Sequence, residues 1–339
     1  MKAWKFHSNK KVLLETQEPI VPPEGYVKVK VGHSILSGVD ALLYAGKLSP
    51  AKTPITIGHQ AVGMVSEVGA GVAGVARGDR VVLDPFVSCD MCGDNEKTKC
   101  YECADLKMYG LAQDGFMSDF VVVCADDAFK LPERVKDEDA IFSSHVAFAV
   151  NIINKLQLEK GEHIVIMGAS LVGIILAQVA LYYQAIPILV DIRGDRLNVA
   201  ESLGVYYCIN SVKEDMRKKI FSITGGNMAA SVVYFPNADN ALNKCLEYAA
   251  TGGQVCIAGW NGTQPDLAGS FSTVLNKQLK VFGVNNGAKL IPAAINMLAN
   301  RIVNVAPVIS GTVMFSEVDK ALAEQAQHPG KHIVLLVKM

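Results

Sequence analysis

The chain has 339 residues, which is more than one ordinary domain needs and enough for two, because domains usually contain roughly 100–200 residues. Half of the residues are apolar, and 32 Lys and Arg against 33 Asp and Glu leave a net charge of -1. This balance excludes a disordered chain and gives no electrostatic case for binding nucleic acid or an anionic membrane. We therefore expect a neutral globular protein.

The first 130 residues have the pattern of antiparallel β-structure. Short runs of alternating valines are separated by glycine turn signals, as in the run from Tyr26 to Val31 and the run from Ala61 to Val68. The N-terminus reads Met1-Lys2-Ala3-Trp4 and lacks a basic stretch followed by an apolar core. We therefore expect no signal peptide and a cytoplasmic location.

A cluster of cysteines lies within this β-rich region. Four of the eight cysteines fall within fifteen residues and form two Cys-x-x-Cys pairs: Cys89, Cys92, Cys100 and Cys103. Four thiolates at this spacing predict one structural Zn²⁺, because four sulfur ligands leave no open coordination position. Disulfides, thiols without a metal and an iron–sulfur cluster are the alternatives. We interpret the scattered cysteines as small buried hydrophobic residues: Cys124, Cys208, Cys245 and Cys256.

The pattern changes after Leu131-Pro132, where apolar strands begin to alternate with helical stretches of ten to fifteen residues. This alternation is typical of βαβ units on a parallel sheet. The predicted strands are His163–Met167, Ile186–Asp191, Ser231–Phe235, Gln254–Ala258 and Leu279–Val284. The last fifty residues predict a helix near Leu290–Ala299, a strand over Val308–Phe315, a helix over Ser316–Gln325 and a terminal strand over His332–Val337.

One segment of this region is long enough to cross a bilayer. No charged residue occurs from Ile164 to Val190. Glycines near its start, two glutamines and Pro187 interrupt the apolar pattern. We therefore predict a strand, a glycine turn, a buried helix and a second strand rather than a transmembrane helix.

The glycine turn in this segment predicts a dinucleotide site. The turn reads Gly168-Ala169-Ser170-Leu171-Val172-Gly173, a G-x-S-x-x-G version of the G-x-G-x-x-G turn. Gly168 permits the tight turn, Gly173 permits close packing of helix on strand, and the helix N-terminus presents N–H groups to a pyrophosphate. Ser170 replaces the second glycine, which reduces the room for the phosphates although its hydroxyl can donate a hydrogen bond.

An acidic residue at the end of the next strand indicates which cofactor binds. Asp191 follows Gly173 by 18 residues, where a ribose-binding carboxylate is expected. A carboxylate there would repel a 2′-phosphate, so NAD is favoured over NADP. The alternatives are that Asp191 only caps a turn, or that Arg193 or Arg196 binds a phosphate.

Together these motifs resemble the zinc-type medium-chain alcohol/polyol dehydrogenase family. The resemblance covers essentially the whole chain and is carried by the cysteine cluster, the turn from Gly168 to Gly173 and the segments Gly58-His59, Gly63, Val68-Gly69, Gly78-Asp79-Arg80-Val81, Asp114-Gly115-Phe116 and Gly252-Gly253-Gln254-Val255. It implies an α/β protein with a GroES-like β-rich catalytic domain over residues 1–149 and 288–339. It also implies a Rossmann domain with a doubly wound parallel sheet over residues 150–287, hydride transfer in the cleft between the domains, and a homodimer or homotetramer.

The chain departs from this family at the catalytic zinc ligands. The family's Cys-Gly-(Ser/Thr)-Asp segment is here Ser37-Gly38-Val39-Asp40, and its Gly-His-Glu segment is Gly58-His59-Gln60. The last ligand position matches Ser143, or else Ser144, with His145 close by. In the cysteine cluster, the usual third cysteine position matches Asn95, so Cys100 must replace it.

These replacements weaken the predicted catalytic zinc site. Zinc prefers thiolate, imidazole and carboxylate ligands, whereas Ser37, His59, Gln60 and Ser143 are all neutral donors. We therefore expect an incomplete catalytic zinc site, with His145 either as a second imidazole ligand or as a packed or capping histidine.

The expected activity follows from this loss. Without the metal, His59 with Ser37 and Gln60 would donate a hydrogen bond or a proton to a carbonyl oxygen, because imidazole titrates near neutral pH. We expect an NAD(H)-dependent oxidoreductase acting on a hydroxy or carbonyl substrate. Reduction of a conjugated C=C bond and a non-catalytic NAD-binding subunit are the alternatives.

Overall fold

The computed structural model describes residues 1–8, 11–87, 102–103, 106–236, 242–259 and 271–339. The strands in these residues are β1 (Lys2–Phe6), β2 (Val12–Thr16), β3 (Tyr26–Leu36), β4 (Ile55–Thr56), β5 (Ala61–Val68), β6 (Arg80–Leu83), β7 (Phe120–Cys124), β8 (Ala128–Lys130), β9 (His163–Met167), β10 (Ile186–Asp191), β11 (Tyr207–Asn210), β12 (Ala229–Tyr234), β13 (Ala249–Ala258), β14 (Lys280–Val284), β15 (Ile309–Met314) and β16 (Val334–Lys338). The helices are α1 (Gly38–Tyr44), α2 (Asp137–Ala140), α3 (Ser143–Leu156), α4 (Leu171–Tyr182), α5 (Gly194–Ser202), α6 (Met216–Ile223), α7 (Leu242–Tyr248), α8 (Phe271–Lys277), α9 (Ile291–Ala299) and α10 (Val318–Gln327).

The chain divides into two compact units, and unit 1 is the β-rich one. Unit 1 comprises Met1–Ser144, Ala288–Asn300 and Val305–Met339. Its larger sheet has the strand order β15-β16-β3-β5-β6-β8, with β7 also paired to β3, and its smaller sheet has the order β2-β1-β4. The valine runs predicted at the start of the chain form β3 and β5, which pair antiparallel with Val27 opposite Val68. The predicted antiparallel β-structure is thereby confirmed.

Two apolar clusters form the core of unit 1. One lies inside the larger sheet and buries the inward valines of β3, β5 and β6 together with Phe116 and Tyr109. The other packs Trp4 and Phe6 of β1 against α1 and α10. Because alternate residues of a strand face opposite sides, the alternating valines bury one face of each strand in these clusters.

Unit 2 comprises His145–Gly287 and Arg301–Asn304 and contains the parallel sheet. Its strand order is β11-β10-β9-β12-β13-β14, and every neighbouring pair is parallel. The order reverses between β9 and β12, as in a doubly wound sheet. The five predicted parallel strands and their intervening helices are confirmed to within a few residues, except at β13, which begins at Ala249.

Two details of the fold differ from the sequence predictions. The edge strand β11 was not predicted, because its apolar run is short and a short apolar run does not distinguish a strand from a helix. In addition, Cys208 of β11 and Cys124 of β7 are only half-buried, so the prediction of small buried residues holds for Cys245 and Cys256 alone.

The uncharged segment from Ile164 to Val190 folds as β9, the glycine turn, α4 and β10, as predicted. Among the residues that the structure describes, no helix is both long enough and apolar enough to span a bilayer.

Candidate functional site

In unit 2, the turn between β9 and α4 brings helix and strand into close contact. A Cβ atom added to Gly173 would lie 2.0 Å from the carbonyl oxygen of Gly168, so only glycine fits there. Gly168 has a φ angle of 120°, which L-residues rarely adopt, and a Cβ atom there would meet no atom within 4 Å. The turn therefore has the tight packing and the open side that the glycine pattern predicted.

Ser170 is the N-cap of α4. Its Oγ accepts a hydrogen bond from the N–H of Gly173 at 3.2 Å. The first N–H groups of a helix, here those of Leu171 and Val172, have no intrahelical partner, and they carry the positive end of the helix dipole. The serine in place of the second glycine thus stabilises the helix N-terminus that would face a pyrophosphate.

Asp191 ends β10 beside this turn. One carboxylate oxygen accepts from the N–H of Ala169 at 2.7 Å, and the other accepts from the N–H of Arg193 at 2.8 Å. These two bonds fix the carboxylate between the glycine turn and the start of α5, at the carboxyl end of its strand. Each oxygen keeps a further lone pair for a ribose hydroxyl.

Two arginines lie close to Asp191. The Arg193 guanidinium makes a two-point ion pair with Asp195, from Nε to Oδ1 at 3.0 Å and from Nη2 to Oδ2 at 2.7 Å. Arg196, in the first turn of α5, is half-buried, and this burial lowers the pKa of its guanidinium while the charge of Asp191 opposes that shift.

These observations fit a nicotinamide dinucleotide. The side of Gly168 that would carry a side chain is open, the N-terminus of α4 is capped, and Asp191 is held at the carboxyl end of β10. The cofactor residues predicted from the sequence are thus brought together within unit 2: Gly168, Ser170, Leu171, Val172, Gly173, Asp191 and Arg196.

In unit 1, His59 lies in the connection between β4 and β5. This connection runs beside residues 114–117: Gly115 N–H donates to the Thr56 carbonyl at 2.8 Å, and Phe116 N–H donates to the Gly58 carbonyl at 2.9 Å. Gly58 has a φ angle of 84°, and a Cβ atom there would lie 3.1 Å from the Met117 nitrogen. The tight packing around Gly58 fixes the backbone that carries His59.

His59 is buried, with only 6% of its surface exposed. Burial lowers the pKa of its imidazole below 6.5, and the negative charge of Asp40 partly opposes this shift. His59 is therefore a neutral imidazole at pH 7, able to donate through one ring nitrogen and accept through the other.

Ser37 and Asp40 form a capping box at the start of α1. Ser37 Oγ accepts from the N–H of Val39 at 3.2 Å and donates to Asp40 Oδ2 at 2.8 Å. The same carboxylate oxygen accepts from the Ser37 N–H at 2.9 Å, and Oδ1 accepts from the Gly58 N–H at 3.2 Å. Ser37, which stands where the family has a zinc-binding cysteine, thus caps a helix, and Asp40 connects that helix to the His59 loop.

Gln60 and Ser143 have different surroundings. Gln60 is 4% exposed, and its side-chain oxygen accepts no hydrogen bond from any residue that the structure describes. Its main-chain oxygen accepts from Ser34 Oγ at 2.8 Å. Ser143, at the start of α3, is fully buried, and its Oγ donates to the Ala140 carbonyl at 2.7 Å.

The donors at the predicted zinc-ligand positions do not fit a catalytic zinc ion. Ser37 Oγ is engaged in the helix cap, Ser143 donates to a carbonyl, and Gln60 offers a neutral amide. His145 lies in α3 and belongs to unit 2, whereas His59 belongs to unit 1. No group of three or more His, Cys, Asp or Glu residues suited to a metal occurs in the described part of the chain.

Most of the predicted structural zinc site lies outside the described residues. Cys89, Cys92 and Cys100 lie outside the described residues, and Cys103 is half-buried without a disulfide bond. The two chain segments on either side of this cluster are paired, because Val87 N–H donates to the Lys107 carbonyl and Tyr109 N–H donates to the Pro85 carbonyl, each at 2.9 Å.

A buried charge cluster that the sequence analysis missed lies beside these paired segments. Lys289 Nζ donates to Asp127 Oδ1 at 3.1 Å, and the backbone N–H of Lys289 donates to Asp84 Oδ2 at 3.2 Å. Tyr109 Oη donates to Asp127 at 3.0 Å. Lys289 is more than 160 residues away in sequence from both aspartates, so no local pattern indicates the contact.

Two family models match the chain. The Alcohol dehydrogenase GroES-like domain matches residues 23–133, and the Zinc-binding dehydrogenase domain matches residues 172–300. A similar protein is an uncharacterized zinc-type alcohol dehydrogenase-like protein of Haemophilus influenzae, which is 33% identical over 91% of this chain and 90% of its own. Sorbitol dehydrogenase of Halalkalibacterium halodurans is 28% identical over 91% of this chain and 90% of its own.

The fold is also found among solved structures. RspB of Escherichia coli CFT073, an alcohol dehydrogenase crystallised with its cofactor NADH, has a TM-score of 0.89 at 25% sequence identity. The match covers 100% of this chain and 99% of that one. The predicted combination of a GroES-like unit and a Rossmann unit is thus confirmed.

Proposed function

Since the chain belongs to the zinc-type alcohol dehydrogenase-like family of medium-chain dehydrogenases/reductases, we propose that it transfers hydride between NAD(H) and a polyol-like hydroxy or carbonyl substrate without a complete catalytic zinc site. The observation that carries this proposal is the donor set around His59, where the positions of the family's thiolate and carboxylate hold Ser37, Gln60 and Ser143. The cofactor, when bound, supplies or accepts the hydride.

The preference for NAD is supported by Asp191. Its carboxylate is fixed by the N–H groups of Ala169 and Arg193 and would accept hydrogen bonds from a ribose. A ribose 2′-hydroxyl can donate to it, whereas a 2′-phosphate would be repelled. The glycine turn and the N-cap of α4 would hold the pyrophosphate.

The substrate oxygen is assigned to His59. A neutral, buried imidazole can accept the hydroxyl proton as an alcohol is oxidised and donate it back as a carbonyl is reduced. Burial excludes water from this exchange, and Asp40 moderates the resulting fall in the His59 pKa. Because no metal shares this task in the proposal, a carbonyl activated by neighbouring polar groups is a better substrate than a simple ketone.

The buried oxygen of Gln60 supports a substrate with more than one hydroxyl group. A buried acceptor without a partner costs about 1–3 kcal/mol, and a donor on a ligand would relieve that cost. A polyol hydroxyl one or two carbons from the reacting centre is such a donor. The sorbitol dehydrogenase relative has a substrate of this class.

The test follows deuterium from [4-²H]NADH to a panel of aldoses, ketoses, hydroxyketones, simple ketones and enones, with and without a zinc chelator. We expect stereospecific transfer to a hydroxyketone or sugar that persists in the chelator and is lost in His59→Asn. His328→Asn changes an exposed histidine of the same unit and serves as the control. Activity that disappears with the chelator and returns with Zn²⁺ would contradict the zinc-poor mechanism. Transfer to enones alone would indicate a C=C reductase, and cofactor binding without any transfer would indicate a non-catalytic subunit.

A further inference from the structure

The ion pair between Arg193 and Asp195 lies directly beside the expected ribose site. Both nitrogens on one edge of the guanidinium contact both carboxylate oxygens, at 3.0 Å and 2.7 Å. Arginine uses this same two-donor edge to bind a phosphate. Both partners are accessible, with side-chain exposures of 36% for Arg193 and 61% for Asp195.

Arg193 lies close to the ribose that Asp191 is expected to bind. The backbone N–H of Arg193 donates to Asp191 Oδ1 at 2.8 Å, and Arg193 is the N-cap residue of α5. In doubly wound dinucleotide sites, an arginine close to the ribose-binding acid is the group that accommodates a 2′-phosphate. Arg193 has the position for that role, but Asp195 already engages the Nε and Nη2 edge of its guanidinium.

We propose that Asp195 is a specificity-determining residue that acts through Arg193 and excludes NADP(H), in addition to the repulsion from Asp191. This inference rests on the proposed function, since it concerns the cofactor of the same site. Asp195 contacts no ribose itself. It occupies the guanidinium edge and adds a second negative charge where a 2′-phosphate would lie.

The charges around the expected position of a 2′-phosphate support this role of Asp195. Asp191 and Asp195 balance Arg193 and Arg196, so a 2′-phosphate meets no net positive charge, and removing Asp195 leaves a net charge of +1. The mutual hydrogen bonds lower the pKa of the Asp195 carboxyl, which keeps it ionised at neutral pH. An exposed ion pair of this kind contributes little to folding, so Asp195→Asn should change the nucleotide preference more than the stability.

The experiment measures the dissociation constants of NAD⁺ and NADP⁺, and of 5′-AMP and 2′,5′-ADP, by calorimetry at low ionic strength. Asp195→Asn should lower the ratio of the NADP⁺ constant to the NAD⁺ constant about tenfold, a change of about 1.4 kcal/mol. Adding Arg193→Gln to this variant should restore the wild-type ratio. Glu201→Gln removes one charge from the exposed face of the same helix, about two turns away, and should leave the ratio unchanged.

The outcomes separate this inference from the proposed function. If the wild-type protein binds neither dinucleotide, the proposed function fails. If the wild-type protein binds NAD⁺ but Asp195→Asn leaves the ratio of the NADP⁺ constant to the NAD⁺ constant unchanged, the role of Asp195 is wrong and the proposed function stands. The same conclusion holds if the ratio falls equally in Glu201→Gln. A wild-type protein that already prefers NADP⁺ would also overturn the role. A partial loss of fold in Asp195→Asn would lower both affinities by the same factor, so the expected tenfold change in the ratio would remain measurable.

Discussion

Asp40 Oδ1 accepts a hydrogen bond from the backbone N–H of Gly58 at 3.2 Å, which places a buried carboxylate one peptide unit from His59. The same side chain closes the capping box of α1 through Ser37. Asp40 therefore couples the helix start to the electrostatics of His59.

Replacing this carboxylate should lower the His59 pKa further. In Asp40→Asn the negative charge that opposes the effect of burial is lost, so the imidazole pKa falls still further below 6.5. The change is measured by NMR titration of the His59 ring signals. Ser37→Ala is the matched control, because it removes the cap hydroxyl and keeps the charge. An unchanged or raised His59 pKa in Asp40→Asn would contradict the assignment.

Adding one methyl group at the glycine turn should abolish cofactor binding. In Gly173→Ala the new Cβ would lie 2.0 Å from the Gly168 carbonyl oxygen, so α4 must move away from β9 and the pyrophosphate position is lost. We expect at least a tenfold weaker affinity for NAD⁺ and a lower melting temperature. Gly283→Ala is the control, since its Cβ would be 3.9 Å from the Ile257 oxygen, an ordinary contact. Wild-type affinity in Gly173→Ala would refute the role of this turn.

Asp84 should make the protein less stable as pH rises from about 4 to about 6. Burial raises the pKa of its carboxyl to about 6, against the opposing hydrogen bonds from the N–H groups of Phe86 and Lys289. Over this window the folded chain keeps a proton that the unfolded chain has released, so the free energy of unfolding falls with rising pH, by up to about 3 kcal/mol.

Urea unfolding between pH 4 and pH 7 measures this effect. The decline should be absent in Asp84→Asn and present in Asp126→Asn, which replaces an exposed carboxylate in the same unit. A decline of equal size in both variants would assign it to other groups.

Replacing Gln60 by leucine should separate stability from activity. The buried amide oxygen has no partner among the described residues, so an apolar side chain of similar size should leave the free energy of unfolding unchanged or raise it. If a substrate hydroxyl donates to this oxygen, KM for a polyol rises about tenfold while NAD⁺ affinity is kept. Gln254→Leu is the contrasting variant, because its amide donates to the Leu156 carbonyl at 2.6 Å. That variant should lose stability instead.

The metal content should be one zinc per chain. The four clustered cysteines predict one structural ion, and the donors around His59 do not fit a second. Plasma mass spectrometry on protein purified without added metal or chelator measures the ratio, with Cys103→Ser expected to lower it and Cys124→Ser expected to leave it unchanged. Two zincs per chain would contradict the incomplete catalytic site, and iron or no metal would contradict the zinc cluster.

Much of this molecule could be predicted from local sequence. Each predicted feature depends on residues within one or two elements: the alternating valines of β3 and β5, the strand–turn–helix at Gly168, and Asp191 at the end of β10. The pattern of such residues indicates which face of an element is buried and where a turn needs glycine. The family motifs also indicated that Gln60 and Ser143 stand at positions where zinc ligands are expected. Even the edge strand β11 was missed for a local reason, since its apolar run is too short to distinguish a strand from a helix.

The tertiary structure decided which of these side chains are already engaged. The sequence places Ser37 at a zinc-ligand position beside His59, but in the fold its hydroxyl is held by a capping box, and Asp40 reaches across 18 residues to Gly58. Likewise, the sequence offers Arg193 as a phosphate ligand, and only the geometry shows that Asp195 accepts from its Nε and Nη2. Lys289 meets Asp84 across 205 residues. Such pairings depend on how distant strands and loops pack. Electrostatic interactions and hydrogen bonds depend on the distance between atoms in space, which the spacing of residues along the sequence does not determine.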